Sequence, residues 1–142
     1  MTFVDAFGLV ALILDEPAAP EVEALLRGED AAIASITLAE TVDVLERVRE
    51  LPSSEVHEVI DPLAAGPLKV VPVTEDHAWR AADIRARYYH RRDAPLSLAD
   101  CVLLAMAAPP AALATADPVV ARTARAEGLT LIALRDSEGR RP

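Results

Sequence analysis

A single cysteine, Cys101, stands in a chain of 142 residues, so no internal disulfide forms and no cysteine cluster can hold zinc. A lone thiol within apolar sequence reads as a small core residue, and a reduced cytoplasm is the expected compartment. Glycine is scattered, at positions 8, 28, 66, 128 and 139. Phosphate-cradling loops need clustered glycines, so P-loop and dinucleotide fingerprints are excluded. His57, His77 and His90 lack metal-ligand spacing and read as surface residues. Neither a Gly-x-Ser-x-Gly elbow nor a His-Glu-x-x-His motif is present, which removes the serine hydrolases and zinc peptidases that use them. Long apolar runs are also missing. The longest uncharged stretches are Ala6–Leu14 and Cys101–Ala116, the second interrupted by Pro109-Pro110, and neither makes a membrane span of roughly 20 residues. Met1-Thr2-Phe3-Val4-Asp5 has no basic region and reaches a carboxylate at once, so no secretory signal is expected.

Lysine is nearly absent: Lys69 is alone among 14 cations. Against 23 acids they leave a net charge of −9, which argues against broad electrostatic binding of nucleic acid. The distribution says otherwise. Arg80, Arg85, Arg87, Arg91 and Arg92 lie close together with one acid, Asp83, among them, and Tyr88, Tyr89 and His90 accompany them. This segment suits an RNA backbone, with Arg85, Arg91 and Arg92 as phosphate contacts and Tyr88 as a stacking surface. It equally suits a solvated helix end whose cations complement the dipole.

Short apolar runs alternate with amphipathic ones. Strands are expected at Thr2–Asp5, Ala31–Ser35, Lys69–Val73, Ala112–Thr115 and Thr130–Leu134, rich in small and β-branched residues. Helices are expected at Ala6–Leu14, Pro20–Arg27, Leu38–Leu51, Glu55–Ala65, from Thr74 through the arginines, at Ser97–Ala107 and at Pro118–Glu127. Gly28 and Gly128 read as residues just past helix ends, and Ser53-Ser54 as a cap. Alternation of this kind predicts a parallel α/β sheet covered on both faces. Length and composition predict one domain over residues 1–136, with 137–142 a disordered tail.

Four acids interrupt apolar sequence: Asp5 closing the first strand, Glu40 in Ile36-Thr37-Leu38-Ala39-Glu40, Asp100 in Ser97-Leu98-Ala99-Asp100, and Asp117 before Pro118. Strand ends and helix starts of a parallel sheet share one crevice, so all four can face it. Capping explains three of them as well. Thr37-x-x-Glu40 and Ser97-x-x-Asp100 fit capping boxes, and Asp117-Pro118 fits a cap with proline in the first helical position. Asp5 is less readily a cap alone. A receiver domain or haloacid phosphatase is excluded, because Asp5 has no acid beside it and position 7 is Phe7.

The order Phe3-Val4-Asp5, Ser35-Ile36-Thr37-Leu38-Ala39-Glu40, Leu96-Ser97-Leu98-Ala99-Asp100 and Leu113-Ala114-Thr115-Ala116-Asp117 resembles the PIN-domain ribonucleases, and among them the VapC-type toxins of bacterial toxin–antitoxin pairs. The resemblance spans about residues 2–135. It implies a Rossmann-like sheet of about five short parallel strands, with Asp5, Glu40, Asp100 and Asp117 as catalytic, metal-binding acids. It also implies Thr115 as a hydroxyl that orients the site. Phe7 departs from the small polar residue common at that place. Asp43, one helical turn beyond Glu40, is either an outer acid of the pocket or a partner of Arg47.

Carboxylates alone would repel a phosphodiester. Mg²⁺ or Mn²⁺, hard cations that prefer oxygen ligands, reverse the sign of such a site and activate water. The expected enzyme is therefore a metal-dependent endoribonuclease leaving 5′-phosphate and 3′-hydroxyl ends. Its expected partners are an RNA substrate, a small antitoxin, and a second copy or a toxin–antitoxin hetero-oligomer, with no membrane. The alternative is a PIN-like binding module whose acidic pocket docks a basic protein.

Overall fold

The computed structural model of the chain describes residues 1–28 and 30–142. Five parallel strands form one sheet: β1 (Thr2–Val4), β2 (Ala31–Ala34), β3 (Lys69–Val71), β4 (Ala112–Thr115) and β5 (Thr130–Ala133), in the order β3-β2-β1-β4-β5. Among the described residues seven α-helices connect or flank them: α1 (Ala6–Ile13), α2 (Ala19–Arg27), α3 (Ser35–Asp43), α4 (Ser53–Ala65), α5 (Glu75–Tyr88), α6 (Leu98–Met106) and α7 (Pro118–Ala126). This is the parallel α/β sheet flanked by helices that the alternation of strands and helices in the sequence predicts.

Side-chain alternation along short strands sends neighbours to opposite faces. Phe3, Ala32 and Leu113 enter a core with Ile84, Leu96, Leu104 and Val120. Val4, Ile33 and Ala114 enter the other, with Leu9, Val22 and Leu134. Small residues in β2 let helices lie close on both sides. A third cluster, Val10, Leu45, Val56 and Ile60, holds α4 beneath the turn that follows α3.

The chain winds outward from β1 through β2 to β3, then crosses back to β4 on the other side of β1. In register, Phe3 stands opposite Ala32 and Leu113. The β1/β4 pair is therefore the switch point, where strand carboxyl ends open onto a crevice. Asp5 and Asp117 leave the sheet there.

Several local expectations need correction. The third helix starts at Ser35, directly on β2, and not at Leu38; it passes into a π-helical turn at Val44–Val48. That start moves Thr37 inside the helix, so the Thr37–Glu40 capping box does not form and Glu40 sits beyond the first turn. Thr37 Oγ1 is buried without a hydrogen-bond partner, while the Thr41 hydroxyl donates to the Thr37 carbonyl. Ser53 likewise begins α4 rather than capping it. Gly28 follows α2 with φ −77°, whereas Gly128 adopts φ 69° after α7, and only the latter needs glycine's freedom. Beyond β5, Arg140 pairs with Asp136 at 3.0 Å, and Arg141 reaches Glu21 and the Ala133 carbonyl. Among the described residues no helix is long and apolar enough to cross a membrane.

Candidate active site

Asp5 anchors the crevice. It follows β1 in extended geometry and caps α1: the Gly8 amide donates to Oδ1 at 2.7 Å. Capping is thus part of its role, though not the whole of it, since its second oxygen is engaged elsewhere. The Thr115 hydroxyl, from the last residue of β4, donates to Oδ2, and Thr115 Oγ1 accepts the Asp117 amide at 3.0 Å. One threonine therefore links the acids that follow the two central strands. Asp5 is only 7% exposed, and burial pushes its carboxyl up to about 6 against the opposing pull of Thr115 and the backbone amides, with Asp117 adding repulsion.

The fold brings all four acids into one cavity. Asp5, Glu40, Asp100 and Asp117 line a space of about 120 Å³ together with Phe7, Ala99, Leu103 and Val120. Glu40 enters from α3, its carboxyl raised first by burial and then by the charges of Asp100 and Asp43. Asp100 enters from the start of α6 and Asp117 from the start of α7. Among the described residues no cation pairs with any of the four. Asp43 is an exposed partner of Arg47 at 2.7 Å, which holds its carboxyl below the usual range, yet its charge is felt at Glu40.

Two of the three expected caps form. Asp100 Oδ2 accepts the Ser97 amide at 2.8 Å while Ser97 Oγ accepts the Asp100 amide, a complete capping box. Asp117 Oδ1 accepts the Val119 and Val120 amides, at 2.7 and 3.0 Å. With those oxygens turned to helix starts, no three acids, histidines or cysteines among the described residues form a ready ion cage. The donor set nevertheless suits a hard divalent cation: carboxylate oxygens only, in surplus, around one cavity. Asp100 Oδ1 and Asp117 Oδ2 take no hydrogen bond among the described residues.

The arginine segment divides. Arg85 donates to the Leu96 carbonyl and lies 4.3 Å from the Tyr89 ring centroid; Tyr88 donates to Glu127 at 2.7 Å. These two tie α5 to its surroundings. Arg91 and Arg92 remain exposed with His90 around a shallow space of about 460 Å³. Because Leu96 immediately precedes the Ser97 cap, Arg85 braces the start of α6 and with it Asp100. Arg85→Ala is expected to lower stability by about 1–2 kcal/mol, read by urea unfolding, and to speed exchange of the Ser97 and Asp100 amide hydrogens. Unchanged exchange at those amides would remove the bracing role.

Gly8 escaped the sequence reading, which noted it only as an isolated glycine. A Cβ there would stand 2.7 Å from Val4 Cγ1 and 3.1 Å from Asp5 Oδ1. The signal was available in Asp5-Ala6-Phe7-Gly8, where an acid three residues before an amide has capping spacing. The Arg85–Leu96 contact had none, since it joins a helix end to a loop.

Comparison with known proteins follows the same outline. The sequence matches the PIN domain family over residues 2–125. No curated protein is significantly similar. Among solved structures, FitAcB from Neisseria gonorrhoeae is similar at 25% identity and TM-score 0.65, covering 93% of this chain and 96% of that one. VapBC2 from Rickettsia felis, bound to a promoter DNA fragment, gives 16% identity and TM-score 0.68, over 92% and 96% of the two chains. A toxin–antitoxin complex from Klebsiella pneumoniae gives 20% and 0.59, over 82% and 87%. The family match runs from β1 into α7 and so takes in every strand and helix start that carries one of the four acids; the chain belongs to the PIN domain family, whose members are generally nucleases that use divalent metals.

Proposed function

We propose that this protein is an endoribonuclease dependent on Mg²⁺, or Mn²⁺ in its place, and the toxin of a toxin–antitoxin pair. The observation that carries the reading is the gathering of Asp5, Glu40, Asp100 and Asp117 around one cavity without a cationic partner among the described residues. A divalent ion held there would neutralise substrate phosphate, lower the pKa of water and stabilise the leaving 3′ oxygen. Asp5, fixed by Gly8 and Thr115, is the rigid member of the set. Glu40 and the second oxygens of Asp100 and Asp117 are the adjustable ones. Thr115 keeps the two strand-end acids in register, Asp43 adds charge from outside, and Arg91 and Arg92 offer phosphate contacts. The activity resides in one domain, residues 1–136, and is cytoplasmic. RNA incubated with the purified protein should be cut in Mg²⁺, left intact in EDTA, and carry 5′-phosphate ends. Equal cleavage in EDTA overturns the reading.

The partner side rests on an apolar groove of about 150 Å³ between α3 and α4, lined by Leu38, Val42, Val56 and Ile60 with His57 and Asp61 at its edge. It suits an amphipathic helix, and one of the similar structures is a toxin–antitoxin complex. An antitoxin bound there, extending an arginine to the acids, would silence the site; self-association into a homodimer or a hetero-oligomer accompanies it. The competing reading, a binding module docking a basic protein, draws on the helix caps that already occupy Asp100 and Asp117. Metal-dependent cleavage by the pure protein separates the two.

A further inference from the structure

A second cavity adjoins the carboxylate cavity through shared walls. Phe7 and Asp117 line both; on the far side they are joined by Ala116 and Asp136 around about 220 Å³. Phe7 is the second residue of α1, and the Asp5–Gly8 cap on either side of it fixes its backbone. Part of its side chain packs on the core of Val4 and Leu9, and the remainder faces the cavities. Ala116 contributes a small apolar surface.

Asp136 does not make this second space an acidic one. Its Oδ1 accepts the Glu138 and Arg140 amides at 2.9 and 2.8 Å, and its Oδ2 accepts Arg140 Nε at 3.0 Å. Burdened with those donors, the carboxylate serves as a wall held by the chain's own last turn. What the cavity offers is an aromatic face, a small apolar floor, an Asp136 wall occupied by its own donors and, at the seam with the first cavity, the Asp117 carboxylate. That chemistry fits a flat heteroaromatic ring and not a phosphate.

We infer that Phe7 is the platform of a nucleobase subsite, on which a base adjoining the scissile phosphate of single-stranded RNA stacks. The inference rests on the ribonuclease reading and adds to it a chain-specific means of choosing where to cut. Stacking on an aromatic face tolerates every base, and the larger purine surface gains most from it.

The test uses the intact protein and a short single-stranded RNA carrying one 2-aminopurine, whose fluorescence falls when it stacks. Binding is followed in Ca²⁺, and cleavage of the same RNA in Mg²⁺. Phe7→Leu keeps apolar bulk and removes the π face, so unfolding curves should match wild type. It is expected to weaken binding about 10-fold or more, from the usual worth of one base–aromatic stack, and to abolish the fluorescence change. Phe7→Trp should retain both. If Phe7→Leu binds and quenches as wild type does, or wild type itself shows no quenching, the subsite is wrong while Mg²⁺-dependent cleavage still upholds the ribonuclease. If wild type cuts no RNA at all, the reading and the subsite fall together.

Discussion

Asp5→Asn is expected to reduce metal-dependent RNA cleavage by about three orders of magnitude, the scale of losing several kcal/mol of charge stabilisation at the reacting phosphate. The same substitution should make the metal-free protein more stable at neutral pH. The sign follows from the raised carboxyl of Asp5, at about 6 in the folded chain against an ordinary 3.8. Folding favours the protonated acid, so its contribution is complete below pH 4 and is lost as pH rises through 6. A displacement of this size corresponds to about 3 kcal/mol lost by pH 7. Asparagine escapes that loss but serves Gly8 and Thr115 less well together, a deficit of about 1 kcal/mol at every pH. The variant should therefore equal or fall slightly below wild type at pH 4 and exceed it by about 2 kcal/mol at pH 7 in EDTA. Denaturant unfolding at the two pH values reads the crossover. Excess Mg²⁺ should then raise wild type and leave the variant behind, because a ligand stabilises only the fold that binds it. Active Asp5→Asn protein would end the assignment of Asp5 to the site; an absent crossover would show that its burial is compensated by contacts other than those seen.

How much of this was legible beforehand depended on how local the cause was. Strands and helices alternate with clear punctuation, so the parallel sheet and the crevice at its switch point followed from residues such as Thr74, Pro118 and Gly128. The four acids were conspicuous because each breaks an apolar stretch. What sequence could not decide was which oxygen of Asp100 or Asp117 would turn to a helix start, since capping and cation binding call for the same residue at the same place. The misplaced start of α3 has a simple origin. Ala34 passes from strand to helix without a loop, so Ser35 to Thr37 carry no punctuation, and the pattern of Leu38, Val42 and Leu45 was mistaken for the beginning. Arg85 and Tyr88 read as free cation and free ring because their partners, Leu96 and Glu127, lie 11 and 39 positions away. Charge clusters reveal composition, not which members are already spoken for.

Gly8→Ala carries the second large effect, and it tests the scaffold rather than the chemistry. Ordinarily alanine improves a helix over glycine by about 1 kcal/mol. Here the added Cβ would meet Val4 Cγ1 at 2.7 Å, Leu134 Cδ1 at 3.0 Å and Asp5 Oδ1 at 3.1 Å. Val4 and Leu134 are both fully buried, and a β-branched valine has little freedom about χ1, so neither can simply swing aside. The start of α1 must lift instead, which stretches the Gly8–Asp5 bond and forfeits the cap. Overpacking costs about 1–3 kcal/mol and a lost cap about 1 more; together they outweigh the helix gain, and a net loss of about 2 kcal/mol is expected. Cleavage should fall with it even in the folded fraction, because Asp5 loses the donor that aims it. Gly28→Ala is the matched control: φ is −77°, and the nearest atoms stand 3.5 Å from the added carbon, so stability should hold or rise slightly with activity unchanged. Thermal unfolding and RNA cleavage measured on both variants decide the matter. A Gly8→Ala protein as stable and as active as wild type would mean that α1 has slack at its first turn, and that Asp5 is aimed by Thr115 alone.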